Sequence, residues 1–401
     1  MSQTTVQGGA GPAVAVPGML LIAATYGMAR FGVGLFAPAL AASRPELIGV
    51  LGWAAAAQFT SYSLAALVAA RLVDRHPRTG LALAGATATA GCLGVAAATG
   101  PGMFVLAVLV GGLGGGFASP ALVPVLDTLA KPQAAATAQS VANAGTAVGV
   151  IGAGLLVFAV PAVGPAWVLM AVICALSAVA ALYPVRSRSS LQIRLRTPDA
   201  PPEPAGCKPA AFEQDHSARA GRRALLVPAA AALVVGAGSA LTWTFGPLLV
   251  SEAGAVSGSR IGWLWIALGA GGLFGALTGR MVDRIGLRGG WAACAGSLAA
   301  ASAAVGLSAS TGNAAGAYAG MAVFGAGYMA MSAVLILWAR SVWPRRAGAG
   351  TSILFIALAT GQALGSAGVG AVLGMVSPAI LAAAAAGFCA AGGLAALIGK
   401  R

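Results

Sequence analysis

The chain alternates between long apolar runs and short polar or charged segments over almost its whole length. Each apolar run has roughly 20 residues or more, which is long enough for a helix to cross a bilayer. The predicted crossings are 17–41, 47–70, 80–99, 102–127, 137–160, 164–185, 224–250, 259–280, 289–309, 313–340, 348–374 and 378–399. The pattern therefore predicts an all-α integral membrane protein with twelve transmembrane helices, and the lipid bilayer is its expected surrounding.

Composition agrees with this prediction and removes one alternative. The chain has 401 residues, of which 59% are hydrophobic and only 8% are charged, whereas a water-soluble domain has about 25% charged residues. The net charge of +14 could suggest a nucleic-acid partner. The basic residues are instead spread over short loops between apolar runs, as in membrane proteins, so no nucleic-acid partner is expected.

The distribution of Lys and Arg predicts the orientation in the membrane. Of 23 such residues, all but Arg30, Arg44 and Arg260 follow an even-numbered crossing or lie in the C-terminal tail. Positive loops face the cytoplasm, so both termini are expected inside. Residues 1–16 lack the basic region of a signal peptide and are predicted to be a disordered cytoplasmic N-terminus. Arginine outnumbers lysine 20 to 3, which suggests a GC-rich bacterial source and a multi-pass protein of the inner (plasma) membrane.

The sequence contains a weak internal repeat that divides it into two halves. Three pairs of segments match in order, at or near an offset of 209 residues: 36–40 (FAPAL) with 245–249 (FGPLL), 71–75 (RLVDR) with 280–284 (RMVDR), and 145–149 (GTAVG) with 361–365 (GQALG). We therefore expect a six-helix bundle over 17–185 and a second one over 224–399, joined by a cytoplasmic linker over 186–223. Such parallel repeats are one of the standard plans of transporters.

The repeated loop resembles the cytoplasmic signature of the major facilitator superfamily, Gly-x-Leu-Ala-Asp-Arg-x-Gly-Arg-Arg/Lys. The second copy retains Gly279, Asp283, Arg284, Gly286 and Arg288. The first copy retains Leu72, Asp74, Arg75 and Arg78, but has Ala70 and Pro77 where the family has glycine. The resemblance covers essentially the whole chain. It implies two pseudo-symmetric six-helix bundles and secondary transport by alternating access.

The signature loops are the expected conformational gate. Acids at helix ends accept hydrogen bonds from neighbouring helix N-termini, and arginines bind carboxylates or helix-end carbonyls. In the family this loop stabilises the outward-open state, and the resemblance extends that role to Asp74, Arg75, Asp283 and Arg284, with Arg78 and Arg288 beside them. Asp127 lies near the same surface and is expected to pair with Arg75 or Arg78; proton coupling through Asp127 is the alternative.

Arg30 is the one charge predicted deep inside the bilayer. It lies 13 residues after Pro17, about 20 Å deep at 1.5 Å per residue, and no Asp or Glu of the sequence lies at that depth. Such a charge should face a protein interior or a cavity. An anionic substrate group is the simplest partner. The alternative is a structural contact with carbonyls exposed near Pro120 and Pro124.

Other polar side chains at helical spacing mark the same predicted cavity between the halves. The candidate substrate-binding residues are Arg30, Tyr26, Gln58, Tyr62, Asn143, Gln139, Trp243 and Gln362. Most tryptophans, Trp265 among them, are first interpreted as interface or packing residues, and Trp243 and Trp265 are the two that could line the cavity.

These features predict a transporter of a small organic solute, with an anion suggested by Arg30. The patterns of drug/proton antiporters on helices 4 and 5 are absent, yet efflux is favoured on the frequency of export in the family alone. Uptake by symport and anion exchange are the alternatives, with a proton as candidate coupling ion. No ATP-binding, metal-site or nucleophile pattern is present, so no cofactor or enzyme activity is expected; a channel or an intramembrane enzyme is a remote alternative. A monomer is expected.

Overall fold

The computed structural model describes residues 11–73, 75–129, 135–195 and 223–398, and these residues are almost entirely helical. We number the α-helices in chain order and call the two π-helices π1 and π2. The elements are α1 (Gly11–Ile22), π1 (Ala23–Arg30), α2 (Gly32–Ser43), α3 (Leu51–Leu72), α4 (Pro77–Ala97), α5 (Pro101–Leu129), α6 (Ala135–Ala159), α7 (Val163–Leu195), α8 (Leu226–Ala240), π2 (Leu241–Phe245), α9 (Gly246–Glu252), α10 (Ile261–Leu273), α11 (Thr278–Thr311), α12 (Ala314–Val342), α13 (Ala347–Val372) and α14 (Pro378–Ile398).

The helices are consistent with twelve crossings. Within the described residues, ten helical stretches are long and apolar enough to cross a membrane. The longest, Gly258–Thr311, is interrupted at Gly286, whose φ of 72° and ψ of 169° are not helical. Glycine tolerates this backbone because it has no Cβ. The 22-residue helix α3 supplies a further crossing.

Two crossings contain a π-helical turn at their centre. The first consists of α1, π1 and α2, and the seventh consists of α8, π2 and α9. Both π-helices precede a proline, Pro38 or Pro247, which removes one backbone donor. Wide turns of this kind are rare and are frequent at functional sites, and the sequence pattern did not predict them.

The two bundles meet on the side opposite the signature loops, which we call the far side. A Cβ at Gly34 would overlap the backbone carbonyl of Trp243, so α2 and π2 approach there without a side chain between them. A Cβ at Gly52 on α3 would lie 2.8 Å from the Cα of Gly370 on α13. A Cβ at Gly154 on α6 would lie 2.6 Å from the carbonyl oxygen of Gly262. Small residues thus allow close contact between the halves.

The contact between α6 and α10 does not continue to the signature-loop side. The Ala147 methyl would lie 3.5 Å from a Cβ at Gly272. One turn further along the same face of α6, Asn143 is exposed. The described residues are therefore packed between the halves on the far side and accessible on the signature-loop side.

Two predicted boundaries differ from the helices. Helix α1 begins at Gly11, inside the segment 1–16 that the sequence predicted as disordered. Helix α7 continues to Leu195, so residues 186–195 of the predicted linker are helical. Residues 196–222 lie outside the described part of the chain.

Candidate binding site at the centre of the membrane

Arg30 is the last residue of π1 and is only 4% exposed. In the described part of the chain, no carboxylate forms an ion pair with it, and its Nε atom has no hydrogen-bond partner. The structural alternative from the sequence, contact of Arg30 with carbonyls near Pro120 and Pro124, stays a prediction. The guanidinium is therefore buried with hydrogen-bond donors available.

Four aromatic rings surround the Arg30 guanidinium and form what we call the aromatic cage. The guanidinium carbon lies 4.1 Å from the ring centroid of Tyr62, 5.0 Å from that of Tyr26, and 5.2 Å from those of Phe31 and Phe59. Tyr26 belongs to π1, Phe31 directly follows π1, and Phe59 and Tyr62 belong to α3. The cage faces the charge with ring π-systems instead of a counter-charge.

Magnitudes explain why this charge is tolerated. Inserting an arginine at the centre of a bilayer costs about 3 kcal/mol on insertion scales. A cation–π contact contributes about 0.5 to 2 kcal/mol, with the larger value when the pair is desolvated. Four such contacts offset the insertion cost, yet they satisfy none of the N–H groups, and each unsatisfied buried donor costs about 1 to 3 kcal/mol. The cage thus holds the cation while its hydrogen-bonding capacity remains available.

The tyrosines of the cage also bind each other. The Tyr26 hydroxyl donates to the Tyr62 hydroxyl at 2.7 Å, and the two rings meet edge to face. This bond fixes π1 against α3 beside Arg30. Gln58, one turn before Tyr62, is buried. The structure therefore brings Tyr26, Gln58 and Tyr62 of the predicted set to the same region.

Gln139 and Asn143 are paired but lie further towards the signature-loop side. The Gln139 amide donates to the Asn143 Oδ1 atom at 3.2 Å, and Asn143 is exposed. They occupy the accessible end of α6, and within the described residues no hydrogen bond joins them to the cage. Their predicted role in substrate binding stays a prediction.

The C-terminal half supplies a second aromatic cluster, built from Trp243, Trp265, Phe324 and Tyr328. The Trp243 ring lies edge to face against Tyr328 at 5.1 Å, Phe324 at 5.3 Å and Trp265 at 6.3 Å. Gln362 is fully buried, and its Nε2 donates to the Tyr328 hydroxyl at 3.1 Å. The cluster connects π2 with α10, α12 and α13.

Phe31 joins the cage to this cluster. Its ring stacks on the Trp243 ring with centroids 3.8 Å apart and planes 11° from parallel. Phe31 belongs to the first crossing and Trp243 to the seventh, so the stack spans the two halves. Arg30 and the second cluster are consequently separated by a single ring.

The predicted gate residues that the structure describes lie on the signature-loop side. Arg75, Asp127, Asp283 and Arg284 are exposed. Arg78 and Arg288 are half-buried, and Asp74 lies outside the described residues. Pairing of Asp127 with Arg75 or Arg78, and the gating role of the whole set, stay predictions.

Sequence reasoning missed four contributors to the site: Phe31, Phe59, Phe324 and Tyr328. Adjacency to Arg30 and Gln58 was the available signal for the first two. The i, i+4 spacing of Phe324 and Tyr328 on α12 was a signal for the others.

In the described residues, no group of three or more His, Cys, Asp or Glu side chains could hold a metal ion.

Comparisons with known proteins agree with the fold. The family model described as Major Facilitator Superfamily matches residues 19–366. No curated protein is similar enough in sequence to match. Among solved structures, the nucleoside transporter NupG superposes with a TM-score of 0.71 at 13% identity, covering 97% of this chain and 98% of that one.

Two further solved structures have similar helices. A POT family transporter in complex with 5-aminolevulinic acid gives a TM-score of 0.72 at 10% identity, covering 97% of this chain and 95% of its own. The peptide transporter POT superposes with a TM-score of 0.70 at 13% identity, covering 96% of this chain and 93% of its own. With a family model that spans most of the sequence, two six-helix bundles and the repeated signature loop, the chain belongs to the major facilitator superfamily.

Proposed function

We propose that the chain is a secondary transporter that moves a small organic anion across the membrane by alternating access, with Arg30 binding the anionic group. Membership of the superfamily supports the transporter class over an enzyme. The observation that carries the anion is the environment of Arg30: a buried guanidinium, enclosed by rings, with an unpartnered Nε.

An anion completes this environment better than any other ligand. A charge-assisted hydrogen bond contributes about 1.5 to 3 kcal/mol, and a planar guanidinium can bind a carboxylate or phosphate through two parallel N–H groups. A cationic ligand would bring a second positive charge to a site with no acid. A neutral ligand would leave the charge uncompensated.

The test replaces Arg30 and measures ligand binding and flux. A thermal-shift screen of the purified protein against organic anions, cations and neutral solutes identifies a ligand, and flux is then measured in proteoliposomes at controlled pH and voltage. We expect Arg30→Gln to weaken anion binding at least tenfold, in line with one lost charge-assisted bond. Arg30→Lys should also weaken it, because an ammonium cannot form the planar fork.

The matched control is Arg260→Gln, which removes an exposed arginine at the far side and should leave binding unchanged. Anion affinity and flux that stay normal in Arg30→Gln and Arg30→Lys would overturn the proposal. Preferential binding of cations by the unmodified chain would do the same.

Anion exchange is a second candidate mode, alongside proton-coupled transport. Every Asp and Glu of the sequence lies at a span end, in a loop or in the 186–223 segment, so no carboxylate at the depth of Arg30 could carry a proton. Counterflow decides between them: exchange requires anion on both sides, whereas a proton-coupled carrier accumulates anion from a pH gradient alone. Efflux is our proposed direction.

We further propose that the protein is a monomer of the bacterial inner membrane with both termini and the signature loops in the cytoplasm. The positive-inside distribution supports this orientation. A cysteine introduced at exposed Thr79 or at exposed Ser259 tests it with an impermeant maleimide, in a Cys207→Ser background whose four remaining native cysteines are buried. In intact cells only the cysteine at Ser259 should react; the opposite pattern would invert the topology.

A further inference from the structure

The second aromatic cluster has hydrogen-bonding groups that nothing in the described chain uses. The indole Nε1 atoms of Trp243 and Trp265 and the Oε1 atom of Gln362 are buried without a partner. Trp243 is 2% exposed, and Trp265 and Gln362 are fully buried. Buried indole N–H groups normally find an acceptor, so two donors and one acceptor in one cluster point to a polar ligand group beside the rings.

The cluster is also next to the charge. Phe31 contacts the Arg30 guanidinium on one side and stacks on Trp243 on the other. A ligand that places its anionic group on Arg30 therefore has aromatic surface within the length of one ring. The Phe31 and Trp243 faces are covered by each other in this conformation, and they belong to different halves that move relative to one another in alternating access.

We propose that the transported solute is an aromatic anion, of the aryl carboxylate class. Its carboxylate binds Arg30, and its ring stacks on Trp243 in the place that Phe31 occupies here. A hydroxyl or carbonyl substituent accepts from the free indole N–H groups, and a hydroxyl can donate to Gln362. This inference rests on the proposed function and adds the chemical class of the substrate.

Aromatic stacking distinguishes this substrate class from an aliphatic anion of equal size. A stacked pair strengthens binding by about two- to twelvefold beyond the effect of the area that it buries. The charge and the ring are bound by different halves, so their contributions can be removed separately. A flat ring can also cover the Trp243 face that Phe31 covers here, whereas a puckered ring of the same carbon number makes fewer contacts with that face.

The experiment is a four-ligand comparison on the purified full-length chain in nanodiscs, by calorimetric titration. Benzoate, cyclohexanecarboxylate, benzamide and cyclohexanecarboxamide vary the ring and the charge independently. We expect benzoate to bind about three- to tenfold more tightly than cyclohexanecarboxylate, and at least tenfold more tightly than benzamide.

Three variants then assign the two preferences. Trp243→Leu should reduce the preference for benzoate over cyclohexanecarboxylate to about one, and Trp243→Phe, which keeps a ring, should retain most of it. Arg30→Gln should abolish the preference for benzoate over benzamide while the aromatic preference remains. Trp167→Phe is the matched control, because Trp167 is also a buried indole with an unpartnered Nε1 but packs on Phe36; it should change neither ratio.

Failure of the inference and of the proposed function give different results. Benzoate that binds no more tightly than cyclohexanecarboxylate, or an aromatic preference that survives in folded Trp243→Leu, overturns the aromatic substrate while Arg30-dependent anion binding stands. If each amide binds as tightly as the carboxylate with the same ring, the proposal that the substrate is an anion is overturned. Elution as a single monodisperse peak and an unchanged helical CD spectrum establish that each variant is folded.

Discussion

The Tyr62 ring is the nearest of four rings to the Arg30 guanidinium, with 4.1 Å between the guanidinium carbon and the ring centroid. Tyr62 is on α3 and Arg30 ends π1, so this contact joins the first and second crossings. The hydroxyl of the same side chain accepts from Tyr26. Tyr62 thus contributes a ring face to the charge and an oxygen to a hydrogen bond.

We expect the ring of Tyr62 to matter more than its hydroxyl. Tyr62→Phe removes one hydrogen bond and should cost about 0.5 to 1.5 kcal/mol of stability. Tyr62→Leu also removes the cation–π contact and should cost at least 2 kcal/mol. Thermal unfolding in detergent gives the order, with the leucine variant melting lowest. In an Arg30→Gln background the difference between the two variants should shrink; an unchanged difference would contradict a charge–ring contact.

The bond between Gln362 and Tyr328 should stabilise the C-terminal half. Tyr328→Phe leaves the buried Gln362 amide without a partner for its Nε2, which costs about 1 to 3 kcal/mol. Tyr318→Phe is the control on the same helix, since Tyr318 is half-buried and its hydroxyl forms no hydrogen bond within the described residues. The melting temperature should fall for Tyr328→Phe and stay unchanged for Tyr318→Phe. Equal decreases in the two variants would indicate that the hydrogen bond contributes nothing to stability.

The glycine contacts on the far side should control the balance between conformations. Gly370→Ala places a methyl group 2.8 Å from the Cα of Gly52, so α3 and α13 must move apart. Gly368→Ala on the same helix meets nothing within 4 Å and is the control. We expect Gly370→Ala to increase maleimide labelling of a cysteine placed at Ser366, which is fully buried at this contact, and to lower flux. Labelling equal to that of Gly368→Ala would show that the contact is not closed in the membrane.

The signature loops should stabilise the other conformation, the one in which the halves are closed on the signature-loop side. Spin labels at exposed Asn143 and Leu277 report the distance between the halves in pulsed electron paramagnetic resonance measurements. Asp283→Asn removes an acid that the gate prediction assigns to the closed state, so the longer distances should gain population. Glu252→Gln, which neutralises an exposed acid on the far side, should leave the distribution unchanged. A shift to shorter distances in Asp283→Asn would contradict the gate.

The sequence could predict the crossings and the internal repeat because a membrane helix is identified by one dominant property, the length of its apolar run. Arg30 was found for the same reason, as a charge without an acid at its depth. Tyr26 followed from helical spacing. Phe59 and Tyr328 had only the local signals of adjacency to Gln58 and spacing from Phe324. Those signals do not say which face of a distant helix meets π1 or Gln362, and the roles of both residues depend on that. The π-helices were also beyond prediction, since a wide turn changes the backbone and leaves the apolar pattern unchanged.

A single caged cation gives the carrier an electrical asymmetry. With a monovalent anion bound, the site has no net charge, and membrane potential does not affect its reorientation. Without ligand the site carries one positive charge, and moving one charge through 100 mV corresponds to about 2.3 kcal/mol. Under the proposed function, a cell with a negative interior should therefore hold the unloaded carrier with Arg30 connected to the cytoplasm. Depolarisation should release that bias, so the return of the unloaded carrier sets the voltage dependence of the whole cycle.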